Sequence, residues 1–446
     1  MSRIKIARFS PGRVLFAMMF LAITIGTLFL ALPAARTQNV SWLDLLFTAT
    51  SATCACGLFT ISLDAFTTFG HTVILILSQI GGLGLVTLTI FLTSFFIDFG
   101  FATQLMAGKL LELEGWKNIR SFIMFIIGLT VCAELIGAAC FFVVLSRDLP
   151  IDRALFLSIF HAVASFCNTG ITLFQGGISH YSTSYLMTFA TVALMIFGSL
   201  GFVTWNEITQ YIGSLGCSKK PFHFSLHSKI VLYGTASVIF TGFFTIICLE
   251  WNHALAAMST PQALSQAFFQ AVSCRSTGFM TANFFSFHIA TYLFICVAAF
   301  IGGSPGSTSG GVKITNVALY LATIKAAISG KTTIEIRGRS IAKDQVYRAL
   351  AVTSLGFVWI FLTICFLTLT ETGANFLALA FEAVSAFCTL GLSLGATKSL
   401  STCGKILIMA TMVIGRIGSL TLILALKARK KQPAEFSYPE ERVILS

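Results

Sequence analysis

The chain has 446 residues, 56% of them hydrophobic and only 10% charged, against about 25% charged in an ordinary soluble domain. Its formal net charge of +12 would suggest nucleic acid in a soluble protein, but here the cations cluster in particular connections between long apolar runs. Composition therefore excludes a soluble domain and a nucleic-acid binder, and predicts an all-α polytopic membrane protein.

In chain order, Arg3, Lys5, Arg8 and Arg13 precede the first apolar run, residues 14–32. The small-residue sequence ALPAAR follows that full-length run, which is not the pattern of a cleaved signal peptide, so the N-terminus is expected in the cytoplasm. Further runs at 122–145, 230–249, 351–369 and 406–426 approach or exceed the roughly 20 apolar residues that cross a bilayer. Basic groups fall in the connections holding Lys219, Lys220 and Lys229, then Lys325, Lys331, Arg337, Arg339, Lys343 and Arg348, then Lys427, Arg429, Lys430 and Lys431. The positive-inside rule assigns these to the cytoplasm, and the segments around Asp64, Asp148, Glu250 and Glu371 to the outside. The twelve cysteines repeat no spacing and read as reduced packing residues, and the CxC pair Cys54 and Cys56 is a weak sign of metal.

Internal repetition is the strongest signal. FTATSATCACGL (47–58), FHAVASFCNTGI (160–171), FQAVSCRSTGF (269–279) and FEAVSAFCTLGL (381–392) share an initial Phe, an Ala two positions on, and a closing glycine. The glycines Gly57, Gly170, Gly278 and Gly391 recur with a period of about 110 residues. Each unit reads as a long span, a short external connection, a helix-patterned stretch of about a dozen residues, the polar glycine run, and a second span. The pre-glycine stretches, such as 41–53 and 151–165, are too short to cross a membrane and suggest re-entrant half-helices. Non-helical backbone at such depth is tolerated only where it is buried or lines a watery cavity, so four tips around one axis would line a pore.

The chemistry follows from that geometry. A half-helix directed inward leaves about half a negative charge at its carbonyl end, where a cation is favoured. Extended backbone at Ala55, Cys56 and Gly57, at Asn168, Thr169 and Gly170, at Ser276, Thr277 and Gly278, and at Thr389, Leu390 and Gly391 can direct carbonyl oxygens at a dehydrated ion. Glycine-containing helix packing is the alternative for any single copy. Arg275, inside the third run, is expected to brace that backbone from behind, since an exposed cation would oppose conduction.

The run Gly302, Gly303, Ser304, Pro305, Gly306, Ser307, Thr308, Ser309, Gly310, Gly311 interrupts a span extending from about 292 to 324. Glycine costs a helix about 1 kcal/mol each and proline about 3, so these residues leave the helix. A Walker A loop is excluded because Val312 separates Gly311 from Lys313. A packing kink or a loop across the pore remains. Arg416 lies within the last apolar stretch, where a charge is costly unless it faces a cavity or partner. Lys313 is either a cytoplasmic-edge anchor or a pore group. His161, Gln270 and Glu382 share one place in their repeats and either brace the half-helices or attract ions, and Glu134 is paired, protonated or a helix contact. Neither HExxH nor paired intramembrane acids occur, so an enzyme is not expected. All four units share one orientation, unlike inverted-repeat carriers.

The four F-x-A-x-[SA] stretches with their glycine loops resemble the Trk/Ktr/HKT superfamily of potassium transporters, over the whole chain. FIGGSPGSTSGGVK (300–313) resembles that family's interrupted helix in the third repeat, and MVIGRIGSLTLILAL (412–426) its last pore-lining helix. The immediate start of repeat one and the closing SYPEERVILS are similar to the membrane subunit of Ktr-type systems. The resemblance implies four M1-P-M2 repeats, eight spans plus four re-entrant pore helices, with K+ channel-like pseudo-fourfold symmetry. It divides the chain into a cytoplasmic N-terminus (1–13), repeats at 14–98, 121–206, 229–326 and 349–427, and a cytoplasmic tail (428–446).

It further implies potassium uptake across the plasma membrane, a K+ filter at the four glycines, and a gate made by 302–311 with Lys313 and Arg416. The partners implied are a second copy of the chain and a cytoplasmic RCK-type nucleotide-binding subunit, so nucleotide acts only through another polypeptide and no covalent cofactor is expected. In that family a serine at the first filter glycine marks sodium-favouring members, and glycine at all four goes with potassium, as here. Ala55-Cys56 in place of the more usual Val-Thr, and Leu390 in a small or β-branched slot, depart from the pattern, and a sodium-favouring or weakly selective member is the alternative.

Overall fold

A computed structural model describes residues 11–84, 119–174, 177–217, 222–280, 284–331 and 333–418. Proline at its start and an unbroken apolar run build α1 (Pro11–Ala31). Ser41 then caps α2 (Trp42–Thr53) by accepting from the Asp44 N–H, and Thr67 caps α3 (Thr68–Leu83). The next quarter holds α4 (Ile119–Leu145), α5 (Ile151–Phe166), α6 (Tyr185–Ser199) and α7 (Phe202–Cys217). A third holds α8 (Leu226–Glu250), α9 (Thr260–Ser273), α10 (Ile289–Phe300) and α11 (Ile314–Ile328). A hairpin, β1 (Glu335–Ile336) with β2 (Arg339–Ser340), leads to α12 (Lys343–Thr370), α13 (Phe376–Cys388) and α14 (Thr402–Ile417).

Among the described residues α4, α8 and α12 are long and apolar enough to cross a membrane, and α6 with α7 makes a fourth if that bent pair is one span. Their surfaces carry Leu135, Phe240 and Phe361 at 64%, 70% and 65% exposure, an outward apolar face that suits lipid rather than water. The pair α6 and α7 turns by 104° at Leu200-Gly201, where Gly201 has φ +80°.

Helix packing closes on itself. Within each quarter the short helix rests on the long one: α2 on α1, α5 on α4, α9 on α8, α13 on α12. Between quarters α3 touches α5, α6 touches α9, α10 touches α13, and α14 returns to α2. The repeated F-x-A pattern is the reason these contacts are close. Phe47, Phe160, Phe269 and Phe381 are all buried, and the alanines two positions on, Ala49, Ala162, Ala271 and Ala383, let a neighbouring helix approach.

Two expectations change. The last helix is shorter than its apolar stretch: α14 ends at Ile417, with Gly418 at φ +89°, so Arg416 sits in the last turn of that helix rather than in its middle. The second half of the second unit bends away at Gly201, as glycine permits and a side chain against Ser304 would not. Residues 419–446, Lys219, Lys220 and the N-terminal Arg3, Lys5 and Arg8 lie outside the described residues, so their expected placement is not addressed.

Candidate functional site

Each short helix ends in the same local device. The N–H of the residue nine after the repeated Phe donates to the carbonyl five residues back: Cys56 to Ser51 at 2.9 Å, Thr169 to Ala164 at 3.0 Å, Gly278 to Ser273 at 3.2 Å and Leu390 to Ser385 at 2.8 Å. Serine side chains brace two of the loops further, Ser51 Oγ accepting from the Gly57 N–H and Ser385 Oγ from the Gly391 N–H, each at 3.1 Å. The second unit has Ala164 at that place, which has no hydroxyl to offer.

Backbone angles then turn the chain. Ala55, Asn168 and Thr389 adopt φ of +53°, +54° and +50°, and the four glycines have φ from +65° to +89°. The third loop reaches its glycine one residue sooner and has no such non-glycine residue.

The glycines form a closed series. A Cβ placed on Gly57 would run into the Thr169 carbonyl oxygen, one on Gly170 into that of Thr277, one on Gly278 into that of Leu390, and one on Gly391 into that of Cys56. The structure thus brings Ala55–Gly57, Asn168–Gly170, Ser276–Gly278 and Thr389–Gly391 to one place, each loop abutting the next and the fourth abutting the first. The side chains here are buried, and the carbonyl oxygens of Thr169, Thr277, Leu390 and Cys56 are the atoms that lie nearest the four glycines.

The glycine-rich segment leaves the helix where expected, between α10 and α11. Gly302 N–H donates to the Val312 carbonyl at 2.9 Å and Ile314 N–H to that of Gly303 at 3.0 Å, closing the neck of a loop. The loop crosses to the second unit: Ser304 N–H donates to the Ser199 carbonyl, Thr308 N–H to that of Gly198, and Phe202 N–H to that of Gly306, at 3.0 to 3.1 Å. Thr308 is the hub. Its hydroxyl donates to the Phe166 carbonyl at 3.0 Å and accepts from Asn168 Nδ2 at 2.7 Å, while Asn168 Oδ1 accepts from the Thr277 hydroxyl at 2.5 Å.

Arg416 joins this loop to the first unit. Its guanidinium donates to the carbonyls of Thr308 and Gly81, and to that of Gly82 at 3.3 Å. Lys313 Nζ donates to the Ser309 carbonyl at 2.6 Å, a bond back to the loop it follows. Gly310 packs against the Thr389 side chain, bringing the loop beneath the fourth glycine run.

Other residues divide. His161 Nε2 meets the Thr191 hydroxyl at 3.1 Å and its ring lies against Phe141, Phe174 and Phe279. Gln270 Nε2 donates to Cys274 Sγ, and the Glu382 carboxylate accepts from the Ser393 and Thr397 hydroxyls. All three engage protein groups, and Glu134 keeps one carboxylate oxygen without a partner. Arg275 departs from expectation. Buried to 3% exposure, it has no hydrogen-bond partner on any guanidinium nitrogen among the described residues, so no described carbonyl is braced by it. Every cysteine whose pairing is described is free, Cys54 and Cys56 included.

Sequence reasoning passed over a second repeat. Ile80–Gly84 (IGGLG), Phe197–Gly201 (FGSLG), Ile301–Gly306 (IGGSPG) and Ile414–Gly418 (IGRIG) end α3, α6, α10 and α14. Gly81, Gly198 and Gly415 press on the Thr53, Phe166 and Phe387 carbonyls of the short helices. Aligning these motifs would have shown that Arg416 stands where Gly82, Ser199 and Gly303 stand.

These features define a helical membrane protein with four glycine loops converging on one centre and a broken helix beside them. The TrkH family profile, described as cation transport protein, matches residues 14–438. The chain is 33% identical to the Ktr system potassium uptake protein B of Bacillus subtilis, over 99% of this chain and 98% of that one. It is 32% identical to the potassium/sodium uptake protein NtpJ of Enterococcus hirae, over 98% of both. In fold it is similar to the crystal structure of the potassium transporter TrkH from Vibrio parahaemolyticus, with TM-score 0.75, 18% identity, and coverage of 96% of this chain and 87% of that one. The protein belongs to the TrkH cation transport family, and its relatives are transporters and not enzymes.

Proposed function

We propose that the protein is the membrane subunit of a potassium uptake system in the plasma membrane. Its four units are M1-P-M2 repeats about a pseudo-fourfold pore, eight spans with four re-entrant helices, and both termini are cytoplasmic. The observation that carries this reading is the closed series of glycines and carbonyls from Gly57 to Gly391 and back to Cys56. Backbone oxygens held in a ring can replace an ion's hydration shell, and the carbonyl ends of α2, α5, α9 and α13 add negative potential there.

The segment 302–311 is the gate under this filter. Thr308 anchors it to the second unit, and Arg416 holds its carbonyl from the opposite side, placing a cation where a transiting cation would be repelled. Release of Arg416 frees the loop. A second copy of the chain and a cytoplasmic RCK-type nucleotide-binding subunit complete the system; the names of the Bacillus subtilis relatives, Ktr system potassium uptake proteins B and D, support the potassium uptake itself.

A sodium-favouring or weakly selective pathway is the second reading. It is favoured by the potassium/sodium name of the Enterococcus hirae relative and by Cys56 and Leu390, whose carbonyls face Gly391 and Gly278. Liposomes containing the purified protein under opposed potassium and sodium gradients separate the two. Potassium-dominated flux, lost or made unselective by Gly57→Ser, supports the first; comparable sodium flux in the unaltered protein establishes the second. Absence of both, with the regulatory subunit added, rejects the pore.

A further inference from the structure

We infer that Glu250, His253 and His288, none of which belongs to the glycine loops or the 302–311 segment, form a binding site for a zinc-class divalent cation. Glu250 is the last residue of α8, His253 lies one turn further in the connection to α9, and His288 immediately precedes α10. One carboxylate oxygen of Glu250 and one ring nitrogen of each histidine lie within 4.8 Å of one another. Four-coordinate zinc with ligands at about 2.0 to 2.2 Å sets them roughly 3.4 Å apart, so small rotations of two exposed imidazoles close the triangle.

The carboxylate is prepared as a metal ligand would be. Glu250 is fully buried, and its Oε1 is held by the His288 N–H at 2.9 Å and by the Thr291 hydroxyl. Oε2 is left facing His253 Nδ1 at 3.4 Å. Hydrogen bonds that fix one oxygen of a carboxylate and aim the other are the usual support around a metal. The two imidazoles are already together, their rings 4.1 Å apart at 29°. Two imidazoles and one carboxylate are the donor set that suits zinc, with nickel and copper as competitors, and the fourth position is open to water. The bound ion would tie the start of the connection into α9 to the start of α10, across the whole third glycine loop.

The test is calorimetric titration of Zn2+ into untagged, chelator-washed protein in detergent, with His253→Ala, His288→Ala and, as a control elsewhere, His180→Ala. The proposal expects one site per chain, weakened at least tenfold in each of the first two variants and unchanged in the third. Both site histidines are exposed and the His288 bond to Glu250 comes from its backbone, so neither change threatens the fold. Zinc should raise the melting temperature of the unaltered protein by a few degrees and leave the two variants unmoved. Substituted Co2+ should give the spectrum of nitrogen and oxygen ligands, without thiolate charge transfer. Zinc binding that survives both histidine changes, a thiolate cobalt spectrum, or no zinc binding below about 1 mM overturns the site.

Discussion

At Gly57, Gly170, Gly278 and Gly391 the four quarters of the chain share one backbone bond and one glycine-to-carbonyl contact, whereas at the ends of their second helices they diverge. There the equivalent places hold Gly82, Ser199, Gly303 and Arg416. Three of the preceding glycines, Gly81, Gly198 and Gly415, still press on a short-helix carbonyl, but Gly302 faces Gly310 of its own loop. The first layer is specified by backbone, which any sequence able to reach positive φ can reproduce. The second is specified by side chains, so each quarter can be given a different part. A pathway that must treat one ion evenly needs the first kind of sameness, and a closure that must move needs the second kind of difference.

The largest effect is expected from breaking the repeated layer. In Gly57→Ser a side chain at φ +89° costs about 1 to 2 kcal/mol and also meets the Thr169 carbonyl, so potassium flux should fall at least tenfold or lose selectivity. Liposome flux measures it, and an unchanged potassium preference would remove Gly57 from the ring.

The divergent layer is tested next by Arg416→Ala, which removes hydrogen bonds from a charged group to carbonyls of two units. With each such bond contributing about 1.5 to 3 kcal/mol, flux should rise several-fold, and Arg416→Lys, unable to fork to both carbonyls, should fall between. Lower flux in Arg416→Ala would make the arginine a structural tie and not a gate.

A smaller effect probes the exception within the repeated layer. Ser51→Ala and Ser385→Ala each remove a hydroxyl from a loop N–H and should cost about 1 kcal/mol, a fall of about one degree in thermal unfolding. Ala164→Ser should be near neutral, since the second loop already stands without that bond.

The smallest concerns the outer seam between first and fourth quarters, where Lys405 Nζ meets Asp44 Oδ1 at 2.7 Å. Partial burial pushes the Asp44 carboxyl up, but hydrogen bonds from Lys405, Ser41 and Thr60 outweigh it and hold the group below its ordinary value. A depressed carboxylate stabilises the fold above the unfolded value and loses that contribution as pH falls through the folded one. The melting-temperature gap between the unaltered protein and Lys405→Met should therefore be steady at neutral pH and shrink below about pH 4, with a plateau worth under about 1 kcal/mol.

Much of this was legible because the repeated signal lies in residue types with a single physical use. A Phe buried within each short helix, an Ala that lets a neighbour approach, and a glycine at positive φ announce themselves at a fixed period. The IGxxG endings escaped because glycine pairs in apolar helices have an ordinary use in packing, and only their alignment exposes Arg416 as the odd member. Arg275 was misjudged since a cation amid polar residues invites partners, and none reaches it. The pairing of His253 with His288 is invisible in sequence, because the whole of α9 and the third glycine loop separate them and only the fold returns one to the other.

The break between α10 and α11 has a consequence for how such a protein can be encoded. A homotetramer inherits every feature four times, so on the proposed reading a loop lying under the filter would come with three copies competing for the same space. Writing four related units into one gene frees a single unit to carry the loop and another to supply the arginine that holds it. Fusion here exchanges the economy of a short gene for the right to be lopsided.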